Sequence, residues 1–324
     1  MTHTAPGGDA SASAAVGAAV DVGSNSVHLL VAAIARHELH PLVDESSFLG
    51  LGAAIDDRAH LGQVARDELT DTLVRYGQVA ARHGATAVTF MGTEPIRRAA
   101  DAGRIVEEVE RATGIPLVVL SHEEEAYLTL VGVTGGAPVR DETLVVDIGG
   151  GSSEFCAVAA GGLARAAGLR LGSNRLTTRF ARTDPVTRDA LASMTSAAET
   201  ILGDALPSQP TDLVAVGGTA SNLLKVTRGG VADRVLTRSR MAEAIETLLE
   251  MPAASLTVRF AVNPKRGPLL PAGAAIVDAL MRHYDVDRIR VSDAGLREGA
   301  ILVAAHAGRA WRDRLPELAH GWRR

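Results

Sequence analysis

The chain has 324 residues, 46% of them hydrophobic, and a formal net charge of −5. That length supports two domains with proper cores, and the acidic balance means the surface as a whole does not advertise nucleic-acid binding. A single cysteine, Cys156, excludes an internal disulfide framework and every multi-cysteine metal site. No apolar run reaches the roughly 18 to 20 residues of a membrane span, so a soluble cytoplasmic protein is expected.

Residues 1–16, rich in Ala, Ser and Gly and without a basic leader, read as a disordered tail. The stretch "AAVDVGSNSVHLLVAA" (18–33) reads as strand, tight turn, strand, because apolar residues flank a cluster of Gly, Ser and Asn. A helical pattern follows at 66–83, with Leu69, Leu73, Tyr76 and Ala80 on one face. Next come a strand at "AVTFM", a helix near 101–113, a strand at "LVVL" and a helix from 122. "LVVDIGGGSSEFCAVAA" (144–160) then repeats the first hairpin. Aligning the two stretches sets Asp21 with Asp147, Gly23 with Gly149, Ser26 with Ser152 and His28 with Glu154. The second copy is followed by a helix behind Asp184 and Pro185, read as N-cap and first helical residue. A strand at "DLVAV", a helix from Thr219, helices at about 238–250 and 268–284, a strand at "RIRVS" and a helix through "LREGAILVAA" complete the pattern.

Strands alternating with helices predict α/β architecture, and the duplication predicts two similar domains, 17–133 and 134–308, facing each other across a cleft. The tail 309–324 reads as an amphipathic helix with a frayed end.

A glycine turn lets backbone N–H groups converge on one point, which makes an anion nest. Gly23, Ser24, Asn25 and Ser26 form one candidate; Gly149, Gly150, Gly151 and Ser152 a second; Gly217, Gly218 and Thr219 a third. One such turn alone is equally well a plain hairpin, but three suggest several phosphates in a row. Better-known phosphate motifs fail: neither lysine follows a glycine as Walker A requires, and Glu154 stands where the dinucleotide fingerprint wants glycine. Carboxylates beside such nests repel phosphate unless a cation lies between. Asp21 and Asp147, with Glu154 on the returning strand, are therefore candidate magnesium ligands; for Glu154 a solvent-facing strand position is the competing reading. In "LSHEEEAYLTL", Ser121 and Glu124 match a capping box, which accounts for Glu123 and Glu124. Glu125 lies about 100° further round the helix and is a candidate general base for water.

The segments "DVGSNSVHLLV", "GTEPIRRA", "SHEEEAYLTL", "DIGGGSSE", "LRLGSNRLT", "AVGGTASNL" and "GLREGAIL" together resemble the exopolyphosphatase and guanosine pentaphosphate phosphatase family, within the acetate and sugar kinase, Hsc70 and actin superfamily. The resemblance runs over roughly 18–306. It implies two ribonuclease H-like, actin-like ATPase domains, with Glu125 activating water, Asp147 and Glu154 as magnesium and phosphate-site residues, and Arg97 contacting phosphate. Two departures stand out: Tyr127 where the family usually has arginine, and His122 where it usually has Ser-Gly before the glutamates.

The expected activity is release of terminal orthophosphate from inorganic polyphosphate with Mg2+. A phosphatase for guanosine pentaphosphate or another nucleotide, and a non-catalytic actin-like nucleotide-sensing module, are the alternatives. Expected partners are polyphosphate and a second copy in a homodimer, with neither nucleic acid nor membrane.

Overall fold

The computed structural model describes residues 15–35 and 38–323. Most of the expected N-terminal tail lies outside them, and the first strand already begins at Ala15. Two sheets carry the fold. The first is built from β1 (Ala15–Val22), β2 (Ser26–Ala35), β3 (Glu38–Phe48), β4 (Ala87–Gly92) and β5 (Leu117–Val119), in the order β3-β2-β1-β4-β5. Strands β1, β2 and β3 pair antiparallel, whereas β4 and β5 run parallel to β1. The second holds β6 (Thr143–Ile148), β7 (Ser153–Val158), β8 (Arg165–Leu169), β9 (Asp212–Val216), β10 (Val235–Thr237) and β11 (Arg288–Val291). Its order is β10-β11-β9-β6-β7-β8. Read from β8 to β11 it repeats the first sheet, with β10 added at the edge.

The central strands are apolar on both faces because helices cover both sides. β7 is buried at every residue. On β1 the run Gly17–Val20 is buried throughout. The helix Gln63–Arg82 sinks Leu69, Leu73, Tyr76 and Ala80 into the first core, as its periodicity predicts. The helix Leu270–His283 is the centre of the second core.

Three sequence expectations are corrected. The first hairpin continues into β3, whose residues alternate between exposed and half-buried and which tolerates Pro41 because it is an edge strand. The helix expected behind Asp184 and Pro185 begins instead at Arg188: Thr187 is the N-cap and its hydroxyl accepts the Ala190 N–H at 3.1 Å. Asp184 is otherwise engaged, its carboxylate accepting the Ala253 N–H at 2.9 and 3.1 Å. The C-terminal segment is not a single helix that frays. A turn at Gly308–Ala310 and a short helix at Leu315–Leu318 bury Trp311, Leu315 and Leu318 against Leu128, Val131 and Val303.

The helix Leu296–Ala307 lies against β1 and against the helix His122–Thr134. The two helices touch backbone to backbone: a Cβ on Gly299 would stand 1.8 Å from the Leu128 carbonyl oxygen. Among the described residues no helix is long and apolar enough to cross a membrane.

Candidate active site

The sequence repeat becomes a geometric one at the ends of β1 and β6. Asp21 faces His28 in the β1/β2 register, and Asp147 faces Glu154 in the β6/β7 register. Each turn closes with the same backbone bond, Gly23 N–H to Ser26 O at 3.1 Å and Gly149 N–H to Ser152 O at 3.0 Å. The turns open onto one cleft of about 480 Å³, which is also lined by Asp21, Asp147, Glu125, Glu154, Gly217 and Gly218. Gly217 has φ 98°, a conformation that disfavours any side chain. A Cβ there would also stand 2.9 Å from Asp147 Oδ1.

Burial sets the electrostatics. Asp147 is pushed up to about 8, first by burial and then by the charges of Glu154 and Asp21. Asp21 is pushed up to about 6 by burial, against the pull of Arg297. Its Oδ1 is buried without a hydrogen-bond partner among the described residues, as is Asn25 Nδ2 on the same turn. Arg266 lines the cleft, and its side chain makes no hydrogen bond or ion pair among the described residues; burial lowers its pKa despite Asp21 and Asp147. His28 drops to about 4 through burial and the Arg297 and Arg266 charges, so the first hairpin presents a neutral ring where the second presents a carboxylate.

Glu125 enters from the first turn of the helix His122–Thr134. Ser121 and Glu124 form the expected capping box there. Arg312 of the C-terminal segment grips both oxygens of Glu124, with Nη2 to Oε2 at 2.9 Å, and also reaches the Val119 carbonyl. Glu125 is 6% exposed and held by Arg97 Nη1 at 3.0 Å from Oε2. Its pKa is raised well above the usual value by burial first and by Glu154 second, with Arg97 opposing.

Not every expected residue faces the cleft in its expected role. Arg97 bonds Glu125 and the Leu120 carbonyl at 2.7 Å rather than the glycine turns, with its Nη2 beside His122 and 3.6 Å from Glu154 Oε1. Glu154 is tied to Ser152 Oγ at 2.7 Å and His122 Nδ1 at 2.8 Å. Thr219 is buried beside Gly273 rather than lining the cleft. Among the described residues no group of three or more His, Cys, Asp or Glu side chains is arranged to hold a metal ion. Arg297 and Glu94 are among the cleft residues that carried no role in the sequence reading. Arg297 donates to Asp44 Oδ1 at 2.6 Å, and Glu94 bonds Ser24 and Arg175. Both lie inside segments that carried the resemblance, "GLREGAIL" and "GTEPIRRA", but their direction into the cleft depends on how the two halves meet.

Comparison with known proteins fits this geometry. The chain is 29% identical over 299 residues to "Exopolyphosphatase 1" of Mycobacterium leprae, covering 87% of each chain. It is 26% identical over 296 residues to the "Guanosine-5'-triphosphate,3'-diphosphate pyrophosphatase" of Vibrio cholerae, covering 88% of this chain and 58% of that longer one. The crystal structure of the Aquifex aeolicus Ppx/GppA family member superposes with a TM-score of 0.78 at 26% identity, over 91% of this chain and 99% of that one, so the fold is the two-domain actin-like one. The model of the Ppx/GppA phosphatase family matches residues 30–307. With its paired hairpins and buried glutamate in place, the chain belongs to the Ppx/GppA phosphatase family and is by that membership a phosphoanhydride-hydrolysing enzyme.

Proposed function

We propose that the protein is an exopolyphosphatase, releasing orthophosphate from the end of inorganic polyphosphate. The observation that carries the reading is Glu125. It is a buried carboxylate of raised pKa, fixed by Arg97, in the cleft where two glycine hairpins meet. Glu125 takes the proton of the attacking water as the water oxygen bonds the terminal phosphorus. The bridging P–O bond breaks, and its electron pair leaves with the shortened chain. Backbone N–H groups of the two turns and the Asn25 amide, whose Nδ2 has no partner among the described residues, orient the phosphoryl oxygens. Arg266 offsets their charge.

Asp21 Oδ1, without a partner among the described residues, and the raised pKa values of Asp21 and Asp147 fit a cation. Two carboxylates suffice for Mg2+, which keeps waters and takes substrate oxygens for the rest. Bound there, it supplies neutralisation of the phosphate charge. Glu154, held by Ser152 and His122, serves the arrangement by keeping Arg97 and the base in place.

Nucleotide hydrolysis is the second reading, favoured by the similarity to the Vibrio cholerae enzyme. Phosphate release from long polyphosphate, tripolyphosphate and guanosine pentaphosphate at equal enzyme separates the two. Preference for the nucleotide would reverse their order.

A further inference from the structure

Glu94 opens the five-residue helix Glu94–Arg98 behind β4, lines the cleft and is 6% exposed. Both of its oxygens are taken. Oε2 accepts the Ser24 hydroxyl of the first hairpin turn at 2.7 Å. Oε1 accepts Arg175 Nη2 from the helix Ser173–Phe180 at 2.6 Å, and Arg98 forms an ion pair with the same oxygen. Arg175 is in turn bound to the second glycine turn, donating Nε to the Gly151 carbonyl at 2.5 Å. Gly151 lies so close that a Cβ there would stand 2.4 Å from Glu94 Oε2. One carboxylate thus collects a hydroxyl and two guanidinium groups drawn from both halves of the protein. This is the donor set that tetrahedral oxyanions recruit.

We propose that Glu94 is a specificity residue that fills, with its own carboxylate, an anion subsite at the junction of the two glycine turns, and so limits how many phosphates of a chain the cleft binds. The proposal rests on the polyphosphate reading and deepens it. A phosphate group approaching Arg175 and Arg98 meets a like charge at contact distance in a site poor in water, where repulsion is weakly screened. The phosphates next to the scissile bond are held by the turns themselves; those further along gain nothing from these arginines.

A simple tie between the two halves is the competing role, and charge separates them. Glu94→Gln keeps the shape and the contact with Ser24 but removes the negative charge; Glu94→Ala empties the subsite. In the parent, calorimetric affinity for polyphosphates of increasing length, with chelator present, should level off at a short length. Steady gain with every added phosphate would overturn the proposal. In Glu94→Gln the plateau should move to longer chains. The ratio of kcat/KM on long polyphosphate to that on tripolyphosphate should rise about 3- to 10-fold, with inorganic phosphate bound more tightly by a similar factor. Equal loss on both substrates with unchanged phosphate affinity would reduce Glu94 to a structural tie. If the parent cleaves neither polyphosphate, the substrate reading falls, and the change in phosphate affinity alone then decides the subsite.

Discussion

Glu125 shows how one carboxylate becomes basic without being exposed. Burial and the neighbouring Glu154 raise its pKa, and Arg97 keeps it within reach of ionisation. A base works only ionised, so kcat/KM should rise with pH along an acid limb lying above the usual carboxylate range. Glu125→Gln should lower kcat by about 10² to 10⁴ with substrate still bound, and flatten that limb; a pH profile of parent and variant checks both. The two aspartates give a second test. A carboxylate whose pKa folding raises favours the folded state below its ordinary pKa, and that contribution is lost as pH climbs through about 6 for Asp21 and about 8 for Asp147. A cation bound only by the folded protein offsets the loss. Magnesium should therefore raise the melting temperature more at pH 8 than at pH 6, and less in Asp147→Asn than in the parent. Calorimetric scans at the two pH values check this, and equal shifts would contradict it. The equivalence of Asp21 with Asp147 and of His28 with Glu154 was legible in sequence because the repeated hairpin carries its register with it. The turns of Arg97 toward Glu125, and of Thr219 away from the cleft, were not. They depend on neighbours brought by other elements.

At the scale of elements, the helix His122–Thr134 is where several constraints converge. Its N-terminal turn is capped by Ser121 and gripped by Arg312, and its middle lies backbone to backbone on the helix Leu296–Ala307. Gly299→Ala would drive a methyl into the Leu128 carbonyl, where no flexible side chain can give way. We expect a loss of about 2 to 3 kcal/mol of stability together with reduced kcat, as the helix carrying Glu125 is pushed from the cleft; denaturant titration and turnover measure the two. Long periodic elements such as Gln63–Arg82 and the apolar central strands were readable because their burial pattern is written at fixed spacing. β3 was not, since an edge strand buries too little to leave a pattern. The start at Arg188 was hidden because Asp184, a good cap by type, is used by Ala253, and the weaker-looking Thr187 caps instead.

For the molecule as a whole, the turns of both hairpins open onto one cleft. Among the described residues lining the cleft there is no Phe, Tyr or Trp, and His28 is the one ring, so a purine base lacks the large aromatic partner whose stacking is worth about 1 to 3 kcal/mol per base elsewhere. We therefore expect kcat/KM on polyphosphate to exceed that on guanosine pentaphosphate by about tenfold or more, measured as phosphate release under identical magnesium. The reverse order would point to a base-binding surface outside this cleft.

The grip of Arg312 on Glu124 spans 188 residues of chain, and this has a bearing on how the enzyme comes into being. During synthesis the N-terminal parts of a chain emerge and begin to fold first. Both glycine hairpins, the base and the acidic pair can therefore be in place while the residues that fasten the catalytic helix are still inside the ribosome. Trp311, Leu315 and Leu318 close the apolar cluster beneath that helix only after those residues have emerged. In the order of synthesis the fastening of the helix that bears Glu125 thus comes after Asp21, Glu125 and Asp147, and a chain released before Trp311 would carry those three carboxylates without it.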